Sequence, residues 1–113
     1  MEKIQNNLLS FESISSTTYE KFLKIANIEQ NRDLLIKHHE NHLTRVYPKG
    51  WNVNSGNFNP INCWKVGAQI AALNIQTLGL YHRLNRAMFR LNGGSGFVQK
   101  PNSLHVSYHN RVI

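Results

Sequence analysis

Residues 43–50, L-T-R-V-Y-P-K-G, limit the fold of this chain more than any other stretch. Leu43 to Tyr47 is a short run rich in strand-forming residues, and Pro48-Lys49-Gly50 stops it abruptly. On either side the pattern turns helical. Asp33 to His42 puts Leu34, Leu35 and His38 on one side of a helix, and beyond an Asn-rich loop Pro60 opens a short helix through Trp64. A strand set between helices is the unit of a parallel sheet, because parallel neighbours need a crossover where antiparallel ones need only a hairpin.

The alternation extends over the chain. Leu8 to Ile14 reads as a strand ending in polar hydroxyls, and Ser15-Ser16-Thr17-Thr18 offer caps for a helix from about Tyr19, with Phe22, Leu23 and Ile25 apolar. Ala68 to Ile75 reads as an apolar strand, with a helix as its rival because the periodicity fits both. Tyr81 to Leu91 is helical and ends at Asn92-Gly93-Gly94. Gly96 to Lys100 is a last strand, closed by Pro101-Asn102, and Val106 to Ile113 has no assigned role. The fold class expected is α/β, about four parallel strands with crossover helices. Such a sheet leaves its strands near Leu9 and Phe97 as open edges, which native proteins cover. Half of an eight-stranded barrel is the economical explanation, completed by a partner segment, by a second copy, or left as an open sheet with another cover.

Composition narrows the class. The 113 residues allow one domain with an apolar core. The single Cys63 excludes an internal disulfide and points to a reducing compartment. The best apolar run, Val66 to Leu80, is broken by Gln69, Asn74 and Gln76, and the N-terminus carries no secretory pattern, so a soluble intracellular chain is the expectation. The net charge is +7, and all six carboxylates lie in the first forty residues. From Asn41 onward Arg45, Lys49, Lys65, Arg83, Arg86, Arg90, Lys100 and Arg111 face no Asp or Glu in sequence. That region cannot supply paired carboxylates for acid–base work or seat a hard cation. It carries instead a positive field that draws phosphate, on lipid headgroups or nucleic acid. His38 and His42 stand at helical i, i+4 spacing, but no third ligand is evident beyond Glu40, and no metal site is expected.

The motifs T-R-V-Y-P-K-G-W, N-x-N-P-x-x-x-W-x-x-G-x-Q, A-L-N-x-Q-T and N-G-G-x-G-[FY]-V-x-K-P occur in order and spacing. Together they resemble the Y-box of eukaryotic phosphoinositide-specific phospholipase C, the C-terminal half of that enzyme's (β/α)8 TIM-like barrel. The resemblance covers roughly residues 8–104, leaving 105–113 as a tail. It implies that Arg45 contacts a phosphate on the inositol ring, for which a guanidinium's rigid fork of donors is suited. It implies that Tyr47, two residues on and on the same face of a strand, packs against the ring. A third contact is implied for a Ser at the end of the preceding strand. Here the run is I-S-S-T-T-Y-E, one residue longer than the family pattern: matching the Ser pair selects Ser16, and counting back from Glu20 selects Thr17. Trp51, after the turn, falls where the family places part of an apolar ridge that dips into the bilayer; the alternative is an indole folded over the barrel rim. Trp64, Gly67, Gln69 and Asn74 read as packing and backbone hydrogen-bonding residues.

The same resemblance places the catalytic residues elsewhere. In the family the general base and acid, two His residues, and the calcium ligands belong to the X-box, which these 113 residues do not contain. The expectation is a headgroup-binding half of a phosphatidylinositol 4,5-bisphosphate phospholipase C, inactive alone, with calcium held outside this chain. Its expected partners are the phosphoinositide, the membrane surface and an X-box half in cis or in trans. Its expected place is cytoplasmic, peripheral at membranes. The alternatives are a non-catalytic phosphoinositide-binding module and a small basic RNA-binding protein using Arg83, Arg86 and Arg90, although no nucleic-acid partner is expected.

Overall fold

The computed structural model describes residues 14–49 and 56–105. Among them the chain runs β1 (Ile14–Thr18), α1 (Tyr19–Ala26), α2 (Arg32–His38), β2 (Leu43–Tyr47), α3 (Ile61–Trp64), β3 (Ile70–Ala71) and α4 (Leu80–Met88). Short 3-10 turns lie at Glu29–Asn31, Asn92–Gly94 and Asn102–Leu104. The strands form one parallel sheet in the order β1-β2-β3. This open α/β sheet with flanking helices fits the half-barrel expected from the sequence.

Period-two alternation divides the sheet into two faces. Thr44 and Val46 on β2, and Ser15 and Thr17 on β1, are buried, while Leu43, Arg45 and Ser16 are exposed. The buried side meets the helices. Phe22 from α1, Leu35 from α2 and Val46 from β2 pack into one core cluster with Phe58, Cys63, Val66 and Ala68. Burial holds the Cys63 thiol protonated, with its pKa pushed up to about 12. Stacking of Tyr19 on Phe58, with ring centroids 4.4 Å apart, ties the start of α1 to the loop after β2. The Asn62 side chain donates to the Tyr19 hydroxyl at 2.8 Å in the same contact.

Three expectations need correction. β1 runs on past Ile14: Ser15 to Thr18 belong to the ladder, and capping of α1 falls to Thr18, whose hydroxyl accepts from the Lys21 amide at 3.4 Å. Most of the expected strand, residues 8–13, lies outside the described residues. The apolar run from Ala68 to Ile75 yields only the two-residue β3, because Ala68 still closes the turn after α3 through a 3.1 Å bond to the Cys63 carbonyl. Gly96 to Lys100 is no strand. Its Phe97 carbonyl accepts from the Asn92 side chain at 3.0 Å instead of from a neighbouring strand. A cavity of about 560 Å³, lined by both Ile70 and Phe97, separates this segment from β3.

Candidate functional site

The exposed sheet face carries the residues singled out on β1 and β2. In the parallel register Ser16 pairs with Arg45, Thr18 with Tyr47, and Arg45 in turn with Ile70. Cross-strand partners in a parallel pair share a face, at the roughly 4.8 Å spacing of neighbouring strands. Ser16 therefore stands beside Arg45, whereas Thr17 points to the helix side, buried against Val46 in the register. The Thr17 hydroxyl turns to the backbone, 3.4 Å from the Thr18 carbonyl. The structure thus separates the two hydroxyls that the sequence left as alternatives. Trp51 lies outside the described residues.

Arg45 and Tyr47 also meet. The guanidinium carbon stands 5.0 Å from the centroid of the Tyr47 ring, a cation–π contact two residues along one strand face. The contact orients the fork and leaves its N–H edges open to an anion, while the phenol supplies a flat apolar surface beside it. A hydroxyl, a guanidinium and an aromatic ring thus share one sheet face. None of the three strands carries an Asp or Glu. Calcium takes six to eight oxygen ligands, so these strands do not fit it. Among the described residues there is no group of three or more His, Cys, Asp or Glu placed to hold a metal ion.

A network that the sequence reading missed fixes β2 from behind. His39 is 2% exposed. Its Nδ1 lies 2.8 Å from the Val66 carbonyl and its Nε2 2.9 Å from the Thr44 hydroxyl. Since a carbonyl only accepts, Nδ1 carries the proton and Nε2 accepts from Thr44. Gln69 accepts from the Thr44 amide at 3.0 Å and donates to the carbonyls of His39 and His42 at 2.8 and 2.9 Å. Lys100 donates to the His39 carbonyl at 2.8 Å. Gly67 makes room for the ring: its φ is +90°, and a Cβ there would stand 3.2 Å from His39 Cβ. Thr44 is the residue just before Arg45, so this lock sets the position of the site's cation. The Gln69 and Gly67 signals were visible in the sequence as structural residues. Nothing in one sequence distinguished His39 from its neighbours His38 and His42, which stack on each other with centroids 4.1 Å apart.

The chain is similar to known proteins in sequence and in fold. The family model described as phosphatidylinositol-specific phospholipase C, Y domain, matches residues 1–103. Human 1-phosphatidylinositol 4,5-bisphosphate phosphodiesterase gamma-2 is 47% identical over 70 residues, 62% of this chain and 6% of that protein. Phosphoinositide phospholipase C 7 of Arabidopsis thaliana is 36% identical over 103 residues, 91% of this chain and 16% of that protein. The crystal structure of L. pealei PLC21 superimposes with a TM-score of 0.73 at 30% identity, covering 91% of this chain and 13% of that one. The chain thus spans a small fraction of the length of the relatives it matches.

Proposed function

The chain belongs to the Y-domain family of phosphatidylinositol-specific phospholipase C, and on that premise we propose that it is the headgroup-binding half of a phosphoinositide phospholipase C barrel. The whole enzyme would hydrolyse phosphatidylinositol 4,5-bisphosphate to diacylglycerol and inositol trisphosphate in signalling at a membrane surface. The observation that carries this reading is the placement of Ser16, Arg45 and Tyr47 on one exposed sheet face.

Each side chain has a task its chemistry suits. Arg45 holds a ring phosphate through charge-assisted N–H bonds, which fixes the ring's register against the sheet. Tyr47 covers one face of the ring and excludes water there. Ser16 donates or accepts one further hydrogen bond. On this reading the proton-transfer groups and the calcium of the whole enzyme belong to an X-box half, in cis or in trans, and the 113 residues bind without turning over. Calcium would supply charge stabilisation of the phosphoryl oxygens in that assembled barrel.

Calorimetry of inositol trisphosphate binding to the wild-type chain and to Arg45→Ala tests the assignment. Loss of a charge-assisted contact should weaken binding by roughly 2–3 kcal/mol, a factor of about thirty or more. Binding that survives Arg45→Ala unchanged would place the headgroup elsewhere.

A further inference from the structure

Of the side chains packed behind β2, one enters the strand ladder itself. In an extended strand the N–H and C=O of a residue point to one side, and those of its neighbours to the other. The Val46 carbonyl accepts from the Ala72 amide at 2.8 Å, so Val46, and Thr44 two residues before it, turn their backbone groups toward β3. A regular parallel ladder would give the Thr44 amide the carbonyl of Ala68. Yet β3 begins only at Ile70, and Ala68 still belongs to the turn after α3, bonded to the Cys63 carbonyl at 3.1 Å. The Thr44 amide donates instead to the Gln69 side chain at 3.0 Å. A side-chain carboxamide thus replaces the missing rung, immediately before Arg45.

This carboxamide has no donor to spare. Its two N–H groups go to the carbonyls of His39 and His42, at 2.8 and 2.9 Å. One side chain therefore joins the end of α2, the start of β2 and the start of β3. The other members of the network bond elsewhere. The His39 ring meets the Thr44 hydroxyl, and Lys100 meets the same His39 carbonyl as Gln69 does.

We infer that Gln69 is a positioning residue: as the rung before Arg45, it fixes where β2 presents the guanidinium beside Ile70 and against Tyr47. What this placement serves rests on the proposed reading of Arg45 as a phosphate contact; the placement itself needs no ligand. A rigid fork of donors meets phosphate oxygens only at a fixed position, so a displaced strand start costs affinity. Without the rung, the start of β2 is held in the ladder by β1 alone, through the pairs Leu43 with Ile14 and Thr44 with Ser15.

The test reads Arg45 directly, by NMR of the isotope-labelled 113-residue chain. The Tyr47 ring, 5.0 Å from the guanidinium carbon, should move the Arg45 side-chain protons upfield, and Tyr47→Leu identifies that shift by abolishing it. Gln69→Leu should lose the shift and weaken inositol trisphosphate binding about tenfold. Gln69→Glu keeps the acceptor for Thr44, loses both donors and faces the Lys100 amine; it should melt lower yet keep the Arg45 shift. Lys100→Met removes the other donor to the His39 carbonyl and should behave in the same way. An unchanged shift in Gln69→Leu would overturn the inference. So would a shift that merely follows melting temperature across the three variants, the mark of a structural role alone. Should Gln69→Leu not fold, hydrogen exchange of the wild type decides: a slow Thr44 amide supports the rung, and a fast one overturns it. A wild type that binds no inositol trisphosphate, with the Arg45 shift still lost in Gln69→Leu, would defeat the headgroup reading and uphold the placement of Arg45 by Gln69.

Discussion

Ser16 and Thr17 differ by one position and face opposite sides of the sheet, so substituting them should have separable effects. Ser16 is exposed and paired in register with Arg45, and Thr17 is buried toward the helices. Ser16→Ala should weaken inositol phosphate binding by about 1 kcal/mol, roughly fivefold, and leave the melting temperature unchanged. Thr17→Val removes a hydroxyl that makes only a long local bond, so affinity should stay near wild type. If Thr17→Val lost affinity and Ser16→Ala did not, the register reading of the third contact would be wrong. Nothing short of the ladder separates the two residues. Both are small hydroxyl side chains in a run of four, and only pairing with β2 says which faces the cation.

At the scale of elements, the junction of α2, β2 and β3 is held by one imidazole. Burial keeps His39 neutral, with its pKa lowered to about 4, and bonding to the Val66 carbonyl offsets this only in part. Its surroundings include the adjacent His38 and, three residues on, His42, with Thr44 on β2, Val66 and Gln69 before β3, and Lys100 from the C-terminal segment. His38 is lowered to about 4 as well, by burial and then by His42. A group whose folded pKa lies below its unfolded value of about 6.5 binds fewer protons in the native state than in the unfolded one. Its stabilisation is therefore complete above pH 6.5 and is lost as pH falls toward 4. For His39 alone this amounts to roughly 3 kcal/mol. Urea unfolding between pH 7 and pH 4 should show a falling midpoint, and His39→Gln should flatten that profile while lowering stability at neutral pH. A wild-type midpoint that stays constant over this range would contradict the neutral, Nδ1-protonated ring.

For the molecule as a whole, the open sheet is the governing fact. Among the described residues, Arg45, Leu43 and Ile70 on the face that holds Tyr47 are exposed, the last two being apolar. On the proposed function an X-box half covers that face and brings the proton-transfer groups. Mixing the chain with an X-box segment of a relative, in calcium, should produce hydrolysis of phosphatidylinositol 4,5-bisphosphate that neither piece shows alone. Turnover by this chain alone would mean that its own residues carry the chemistry. Silence in the mixture, with inositol trisphosphate still bound, would favour a binding module without catalysis.

Local pattern was enough for much of this. The alternation of Leu43 to Tyr47 against Pro48 defined β2 to the residue, and the placing of α2, α3 and α4 followed within a few positions from apolar spacing and stop signals. Arg45 and Tyr47 were legible as a pair because a period of two is a property of the strand itself. The fourth strand was misjudged for the converse reason. A strand exists only through a partner's hydrogen bonds, and the Phe97 carbonyl finds its donor in Asn92. Likewise the choice of Ser16 over Thr17, the burial of His39 among three neighbouring histidines, and the bond from the Thr44 amide to Gln69 all depend on residues distant in sequence. The amino-acid order by itself determined the elements and the chemistry they carry. Register and packing, which are pairwise and non-local, decided which of those groups face one another.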